Sequence, residues 1–229
     1  MSRIRIHKEG FRVICINALL WLAVAVLFFV FCSNLTVNII VTVVCLGFAI
    51  FMLRFFRVPR RDPVQGDHLV VAPGDGRVVD IREVEEDEFF HSKCLRISIF
   101  LSVFDVHVTW SPVSGKVTYY NYPPGRDLIA FHPKASEKNE RTSIGVMTDS
   151  GHPLMFRQIA GILARRIVCY AREGERLEQT AQAGFIKFGS RIDLFLPLDT
   201  EILVRKGDEV FGQETVLARF NDHSSIESI

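Results

Sequence analysis

From residue 13 to residue 53 the chain carries no Asp, Glu, Lys or Arg, and this 41-residue stretch limits what it can fold into more than any other feature. As one helix it would extend about 61 Å, twice the ~30 Å apolar thickness of a bilayer. It must therefore be broken, and Ser33-Asn34 supplies the break, between Phe28-Phe29-Val30-Phe31 and the apolar run Val37-Asn38-Ile39-Ile40-Val41. The expected arrangement is a helical hairpin with spans at 13–32 and 36–53, joined by a tight turn. Both outer flanks are basic and the turn is uncharged, so the positive-inside rule puts both ends, and whatever follows, in the cytoplasm at the cell membrane. A cleaved signal peptide fits less well, because no small-x-small site follows the first apolar stretch and a second span comes at once. Asn17 and Asn38 read as polar glue between the two packed helices.

Charge is strongly partitioned. Residues 1–61 carry +7 and residues 62–229 carry −6. A basic collar beside lipid with an acidic body excludes a nucleic-acid binder. Cys15, Cys32 and Cys45 fall inside the spans, Cys94 and Cys169 are isolated in apolar strands, and none has metal-ligand spacing, which fits a reducing compartment. His68, His91, His132 and His152 show no paired spacing either, so no metal site is expected.

The two prolines of Phe55-Phe56-Arg57-Val58-Pro59-Arg60-Arg61-Asp62-Pro63 stop the helix and mark a basic linker at 57–66, after an anchor at 1–56. From Asp67 the pattern turns to period two, as in Leu95-Arg96-Ile97-Ser98-Ile99-Phe100-Leu101, Val106-His107-Val108-Thr109 and Ile192-Asp193-Leu194-Phe195-Leu196. Residues 67–229 are therefore expected to form one mainly β domain. No long amphipathic helix and no GxGxxG turn is present, which excludes a nucleotide-binding α/β fold. Lys206-Gly207-Asp208-Glu209-Val210-Phe211-Gly212-Gln213, with Asp75-Gly76-Arg77-Val78-Val79, resembles the paired half-motifs of lipoyl- and biotinyl-type domains. That likeness implies a flattened β-sandwich and keeps open a membrane-tethered carrier without catalysis. A carrier needs its lysine at a hairpin tip, and Lys206 lies beside the Gly-Asp turn instead. The acidic run Glu83-Val84-Glu85-Glu86-Asp87-Glu88 reads as an exposed turn.

Gly189-Ser190 sits between apolar runs in Gly184-Phe185-Ile186-Lys187-Phe188-Gly189-Ser190-Arg191-Ile192-Asp193. Alone, the dipeptide reads as a turn with a small serine. Its company is more specific. Phe55-Phe56-Arg57, Ala72-Pro73-Gly74-Asp75-Gly76-Arg77-Val78, Phe104-Asp105-Val106-His107-Val108, Ser111-Pro112-Val113-Ser114-Gly115, Lys134-Ala135-Ser136-Glu137-Lys138-Asn139-Glu140-Arg141, Gln158-Ile159-Ala160-Gly161 and Ala164-Arg165-Arg166-Ile167-Val168 precede it in order. In this series the chain resembles the short-form phosphatidylserine decarboxylases, along nearly its whole length.

The resemblance implies that the Ser190 hydroxyl attacks the carbonyl of Gly189 and that ester elimination splits the chain. Fragments of 189 and 40 residues would result and stay associated, the smaller starting with a pyruvoyl cofactor made from Ser190. Glycine at 189 tolerates the backbone such an attack needs. The pyruvoyl ketone forms a Schiff base with the amine of phosphatidylserine and accepts the electrons left by carbon dioxide, giving phosphatidylethanolamine. An ether-lipid phosphoserine such as archaetidylserine is the alternative substrate, and a homo-oligomer is compatible with everything above. His107 is the candidate for proton transfer, its ordinary pKa near ~6.5 suiting the task. Longer relatives carry a second histidine where this chain has Trp110, so the self-cleavage base stays open. Asp75 is a candidate orienter or base partner, or simply a turn residue. Lys187, Arg191, Arg165 and Arg166 are cations for the lipid phosphate, or strand-edge ion pairs.

Overall fold

The computed structural model describes residues 5–123, 139–161, 167–186 and 190–221. The chain divides into two compact units, Met1–Arg60 and Arg61–Ile229.

In the first unit, α1 (Lys8–Phe31) and α2 (Leu35–Phe55) are flanked by a two-stranded ribbon of β1 (Arg5–Ile6) with β2 (Arg57–Val58). Helix α1 starts ahead of the charge-free stretch because His7 caps it, its Nδ1 accepting from the Glu9 backbone N–H at 3.2 Å. Asn34 caps α2 by accepting from the N–H groups of Thr36 and Val37 at 3.0 and 3.3 Å. Of the two intraspan asparagines, only Asn38 bonds from one helix to the end of the other. Asn17 Nδ2 donates to Val13 in its own helix at 2.9 Å, and Asn38 Nδ2 donates back to Cys32 O at 2.9 Å, tying the turn. A polar side chain at such a site satisfies itself on the nearest free carbonyl, and the turn offers one. Helix-to-helix contact is also aromatic, with the rings of Trp21 and Phe48 4.8 Å apart. Both helices are long and apolar enough to cross a membrane, and Leu19, Leu22, Phe31, Leu35 and Val43 lie exposed along them.

The second unit is mainly β. Its strands are β3 (Leu69–Val71), β4 (Gly76–Glu86), β5 (Ser92–Leu101), β6 (Val108–Trp110), β7 (Gly115–Asn121), β8 (Arg141–Thr148), β9 (Pro153–Ala160), β10 (Ile167–Cys169), β11 (Arg176–Leu177), β12 (Gln182–Ile186), β13 (Ser190–Leu196), β14 (Glu201–Ile202), β15 (Glu209–Val210) and β16 (Val216–Arg219). Eight form one antiparallel sheet in the order β11-β7-β8-β9-β13-β5-β4-β15, and β10-β12-β6 and β14-β16-β3 form two smaller sheets. Alternation sorts the central strands. Ile192, Leu194 and Leu196 of β13 enter the core with Ile97, Ile99 and Leu101 of β5 and Leu154 and Phe156 of β9, and Val70, Leu217, Ala183 and Ile186 of the small sheets close the other side. Each such side chain contributes about 1.5–3 kcal/mol when fully buried.

The opposite face of the large sheet is also buried, but with charge. Arg191 Nε donates to Asp193 Oδ1 at 2.6 Å and its Nη2 to Oδ2 at 3.1 Å and to Ser98 Oγ at 2.8 Å. The acidic run is the exposed turn expected only in part: Glu83, Glu85 and Asp87 are exposed and the turn begins at Asp87, but Glu86 is not. Glu86 is 4% exposed, and its carboxylate accepts from the backbone N–H groups of Glu88, Phe89 and Phe90 at 2.8–3.1 Å and from Arg157 Nη2 at 3.2 Å. Arginines from β8 and β9 draw this end of the hairpin in: Arg141 pairs with Glu88 at 2.8 Å and Arg157 with Glu86 and Glu88 at 3.2 Å.

Candidate active site

Two chain connections meet at one end of the β unit. Strand β5 passes through residues 102–107 to β6, and β12 passes through residues 187–189 to β13. Strands β5 and β13 are neighbours in the large sheet, and β6 and β12 are neighbours in a small one. The end of β5, the start of β6, the end of β12 and the start of β13 thus lie at the same end of the unit.

Ser190 is the first residue of β13, paired on one side with Leu101 and on the other with Ala160. It is fully buried, and its Oγ has no hydrogen-bond partner among the described residues. A buried hydroxyl without a partner costs about 1–3 kcal/mol, which is the kind of strain that marks a working group. Gly189 and Lys187 lie outside the described residues, as do Arg165, Arg166 and His132. The next strand end is pinned: Ala160 donates its N–H to Glu140 O at 3.0 Å, and Asn139 Nδ2 donates to Ala160 O at 2.7 Å.

His107 lies immediately before β6 rather than within an alternating strand, and it is fully buried. Its carbonyl still continues the ladder, accepting from Ile186 N–H at 3.1 Å. The ring Nδ1 lies 3.0 Å from Asp105 O. A carbonyl only accepts, so Nδ1 carries a proton and the ring orientation is fixed by that bond. Asp105 in turn holds the loop, its Oδ2 accepting from Ser102 N–H at 2.7 Å.

Asp75 occupies the bend before β4 and is tied down on three sides. Its carboxylate accepts from Arg61 Nη1 at 2.5 Å, Arg61 Nη2 at 2.6 Å and Gly212 N–H at 2.9 Å. Arg61 lies over the Trp110 ring, 5.3 Å from its centroid. Trp110 is therefore part of the wall that holds the Arg61–Asp75 pair. The adjoining Gly74 packs on Ile192 and Leu101, a Cβ there meeting them at 3.0 and 3.5 Å, so the Asp75 bend abuts the row that contains Ser190. Arg191, offered by the sequence as a lipid-phosphate ligand, is 4% exposed and bound to Asp193. Burial on the far face of β13 leaves it no surface for a headgroup. A cleft of about 430 Å³ lined by Arg82, Arg96, Arg157 and Phe195 lies on that far face too, so it is not where the Ser190 side chain points.

A family model described as phosphatidylserine decarboxylase matches residues 48–218. A Symbiobacterium thermophilum protein named phosphatidylserine decarboxylase proenzyme is 45% identical over 219 residues, covering 96% of this chain and 97% of that one. The chain belongs to the phosphatidylserine decarboxylase family. Proteins of the same name from Cytophaga hutchinsonii and Porphyromonas gingivalis are 44% and 39% identical, over 216 and 217 residues, each covering 94% of this chain and 98% of the relative.

For a phosphatidylserine decarboxylase family member, the sequence singled out Gly189-Ser190, His107 and Asp75 but missed what surrounds them. Gln158 was visible only as part of a motif, and Thr109 only as a strand residue. Gln158 Nε2 donates to Thr109 Oγ1 at 3.0 Å, and both are fully buried between the layers. A polar residue at an inward position of an otherwise apolar strand was the available signal. Arg61 was read as linker charge, and its partner 14 residues on was not foreseen.

Proposed function

We propose that this chain is a membrane-anchored proenzyme that cuts itself between Gly189 and Ser190 and then decarboxylates phosphatidylserine to phosphatidylethanolamine. The observation that carries the reading is the Ser190 Oγ at the start of β13, buried and without a hydrogen-bond partner among the described residues. The family supports it, since relatives across nearly the whole length carry the name proenzyme.

In the first step Ser190 Oγ attacks the carbonyl carbon of residue 189. The C–N bond breaks, the hydroxyl proton ends on the nitrogen, and an ester replaces the amide. Loss of the Ser190 Cα proton then breaks the Cβ–Oγ bond and releases the carboxylate of residue 189. Water replaces ammonia at residue 190 and leaves a ketone, the pyruvoyl group. That ketone supplies a sink for the electron pair left when carbon dioxide departs. His107 is the group assigned to proton transfer in this reading, its ring held by the Nδ1 contact with Asp105 O. Asp75 acts as an orienter: bound to Arg61 and Gly212, it holds the Gly74 bend against Ile192 and Leu101.

The fragments stay together after the cut because the smaller one is woven through the larger. Strand β13 lies hydrogen-bonded between β5 and β9, while β15 pairs with β4 and β16 with β3. The apolar helices keep the enzyme at the bilayer that holds its substrate, with the basic flanks and the β unit on the cytoplasmic side.

Intact mass spectrometry of the purified protein beside Ser190→Ala tests the reading. Two fragments with a blocked N-terminus on the smaller, and conversion of phosphatidylserine to phosphatidylethanolamine, are expected for the first. One uncut, inactive chain is expected for the second. A whole wild-type chain, or a small fragment with an unmodified serine terminus, overturns it.

A further inference from the structure

Three buried polar atoms on the core face of the large sheet have no partner among the described residues: Ser190 Oγ on β13, Gln158 Oε1 on β9 and Thr142 Oγ1 on β8. Their residues are fully buried. The register relates them. Ala160 is opposite Ser190, and Gln158 is opposite Ile192, so Gln158 is the diagonal neighbour of Ser190 on the same face. Diagonal neighbours are ~7 Å apart at the backbone, within reach of a long side chain. Ser190's own direct partner on β9 is an alanine.

The glutamine is also held from above. Its Nε2 donates to Thr109 Oγ1, and Thr109 is opposite Gly184 on β12. A Cβ on Gly184 would lie 2.5 Å from that Nε2 and 2.4 Å from Val168 O, so only glycine leaves the amide its place. One end of the amide is thereby fixed and the acceptor end is left over. Thr109 and His107 are two residues apart on one strand line, and Gln158 and Ser190 are one diagonal step apart on the facing layer. The four residues run from the middle of the core to the end where the two connections meet.

Resting on the self-cleavage reading above, we propose that Gln158, oriented by Thr109, is a positioning residue for the first step of that cleavage. The two atoms are not bonded to each other in this structure; rotation of the Ser190 side chain about Cα–Cβ presents its hydroxyl to Oε1, which accepts the hydrogen bond and so fixes the direction in which the nucleophilic oxygen points. Gln158 neither gains nor loses a proton; the hydroxyl proton still ends on the departing nitrogen. Orienting a nucleophile to within an ångström is worth about a hundredfold in rate.

The test is a time course of cleavage after cell-free synthesis of the full chain into phospholipid nanodiscs, read by gel and intact mass. Gln158→Leu is expected to accumulate full-length precursor, with cleavage slowed about a hundredfold or more. Hydroxylamine, which cuts esters, is expected to release nothing from that precursor, because the ester has not formed. Gln158→Glu keeps an acceptor and is expected to cleave at a rate that rises with pH as the introduced carboxyl ionises, a dependence that a merely structural role does not produce. Thr109→Val is expected to slow cleavage and Thr109→Ser to restore it, which decides the matter if Gln158→Leu fails to fold. Thr142→Val, on the far side of β9, is expected to cleave as wild type. A Gln158→Leu chain that cuts normally, or one that accumulates a hydroxylamine-labile bond, overturns the proposal. So does a Thr142→Val chain as slow as Gln158→Leu. A wild-type chain that never cuts overturns the self-cleavage reading instead.

Discussion

Asp75 and Arg61 form an ion pair whose side chains are 9% and 8% exposed, with two nearly parallel bonds of 2.5 and 2.6 Å. Removing one charge from such a pair leaves the other desolvated and uncompensated, which costs about 3–5 kcal/mol, whereas removing both costs far less. Asp75→Asn still offers an oxygen to Gly212 N–H, so its loss isolates the missing charge from the missing turn bond. Arg61→Met keeps much of the stem over Trp110 while discarding the guanidinium. Each single substitution should therefore cost about 3–5 kcal/mol, or roughly 6–20 °C in Tm at ~2–4 °C per kcal/mol for a unit of this size. The double variant should cost less than either single, giving a coupling of at least ~3 kcal/mol.

The measurement is denaturant unfolding followed by Trp110 fluorescence, in a Ser190→Ala, Trp21→Phe background so that one uncut chain carries one reporter. Two singles that add, each costing under ~1 kcal/mol, would mean a solvated pair and would refute the reasoning. The same variants with Ser190 intact separate two roles for Asp75. If the carboxylate only holds the Gly74 bend against Ile192 and Leu101, the refolded double variant cleaves itself. A double variant that is stable but stays whole would instead make Asp75 a participant in proton transfer.

Burial pushes the Cys94 thiol up to about 12, helped by the Glu86 carboxylate, and burial pushes Cys169 up to about 11. With Cys15, Cys32 and Cys45 replaced by alanine, maleimide at pH 8 should leave the native protein unlabelled and react with two thiols after denaturation; labelling at the rate of a free thiol contradicts this. For Glu88, burial raises the carboxyl, but the Arg141 hydrogen bond, the Arg157 charge and the Ser143 hydroxyl together hold it below its ordinary 4.5. A carboxyl lowered on folding stabilises above its unfolded value and loses that contribution as pH falls through the folded one. Glu88→Gln should therefore be less stable than wild type at pH 7, and its stability should fall less steeply below pH 4.5; parallel acid limbs in urea titrations would count against the assignment.

What could be read from the chain alone was whatever is written in neighbouring residues. The hairpin followed from comparing 41 uncharged residues with the thickness of a bilayer, but its ends did not, since His7 and Asn34 set them by capping and His7 lies outside the apolar stretch. Strands β5 and β13 were legible because one face of each is apolar at every second position. The acidic end of β4 was misread for the complementary reason: Glu86 is buried by Arg157, 71 residues away, and no local pattern announces a partner at that range. The site divides the same way. In the proposed self-cleavage Ser190 attacks its own peptide bond, so nucleophile and target are adjacent in sequence. The groups proposed to aim it are not. Gln158 meets Thr109 across 49 residues, and Arg61 sits in residues that read as linker. A reaction within one dipeptide can be spelled locally, whereas its orientation must come from the layers packed around it, because a flexible turn cannot hold a hydroxyl against solvent and against its own rotation. The inward polar residues of β6 and β9 follow from that requirement: each would cost stability in an apolar core unless it had such a task.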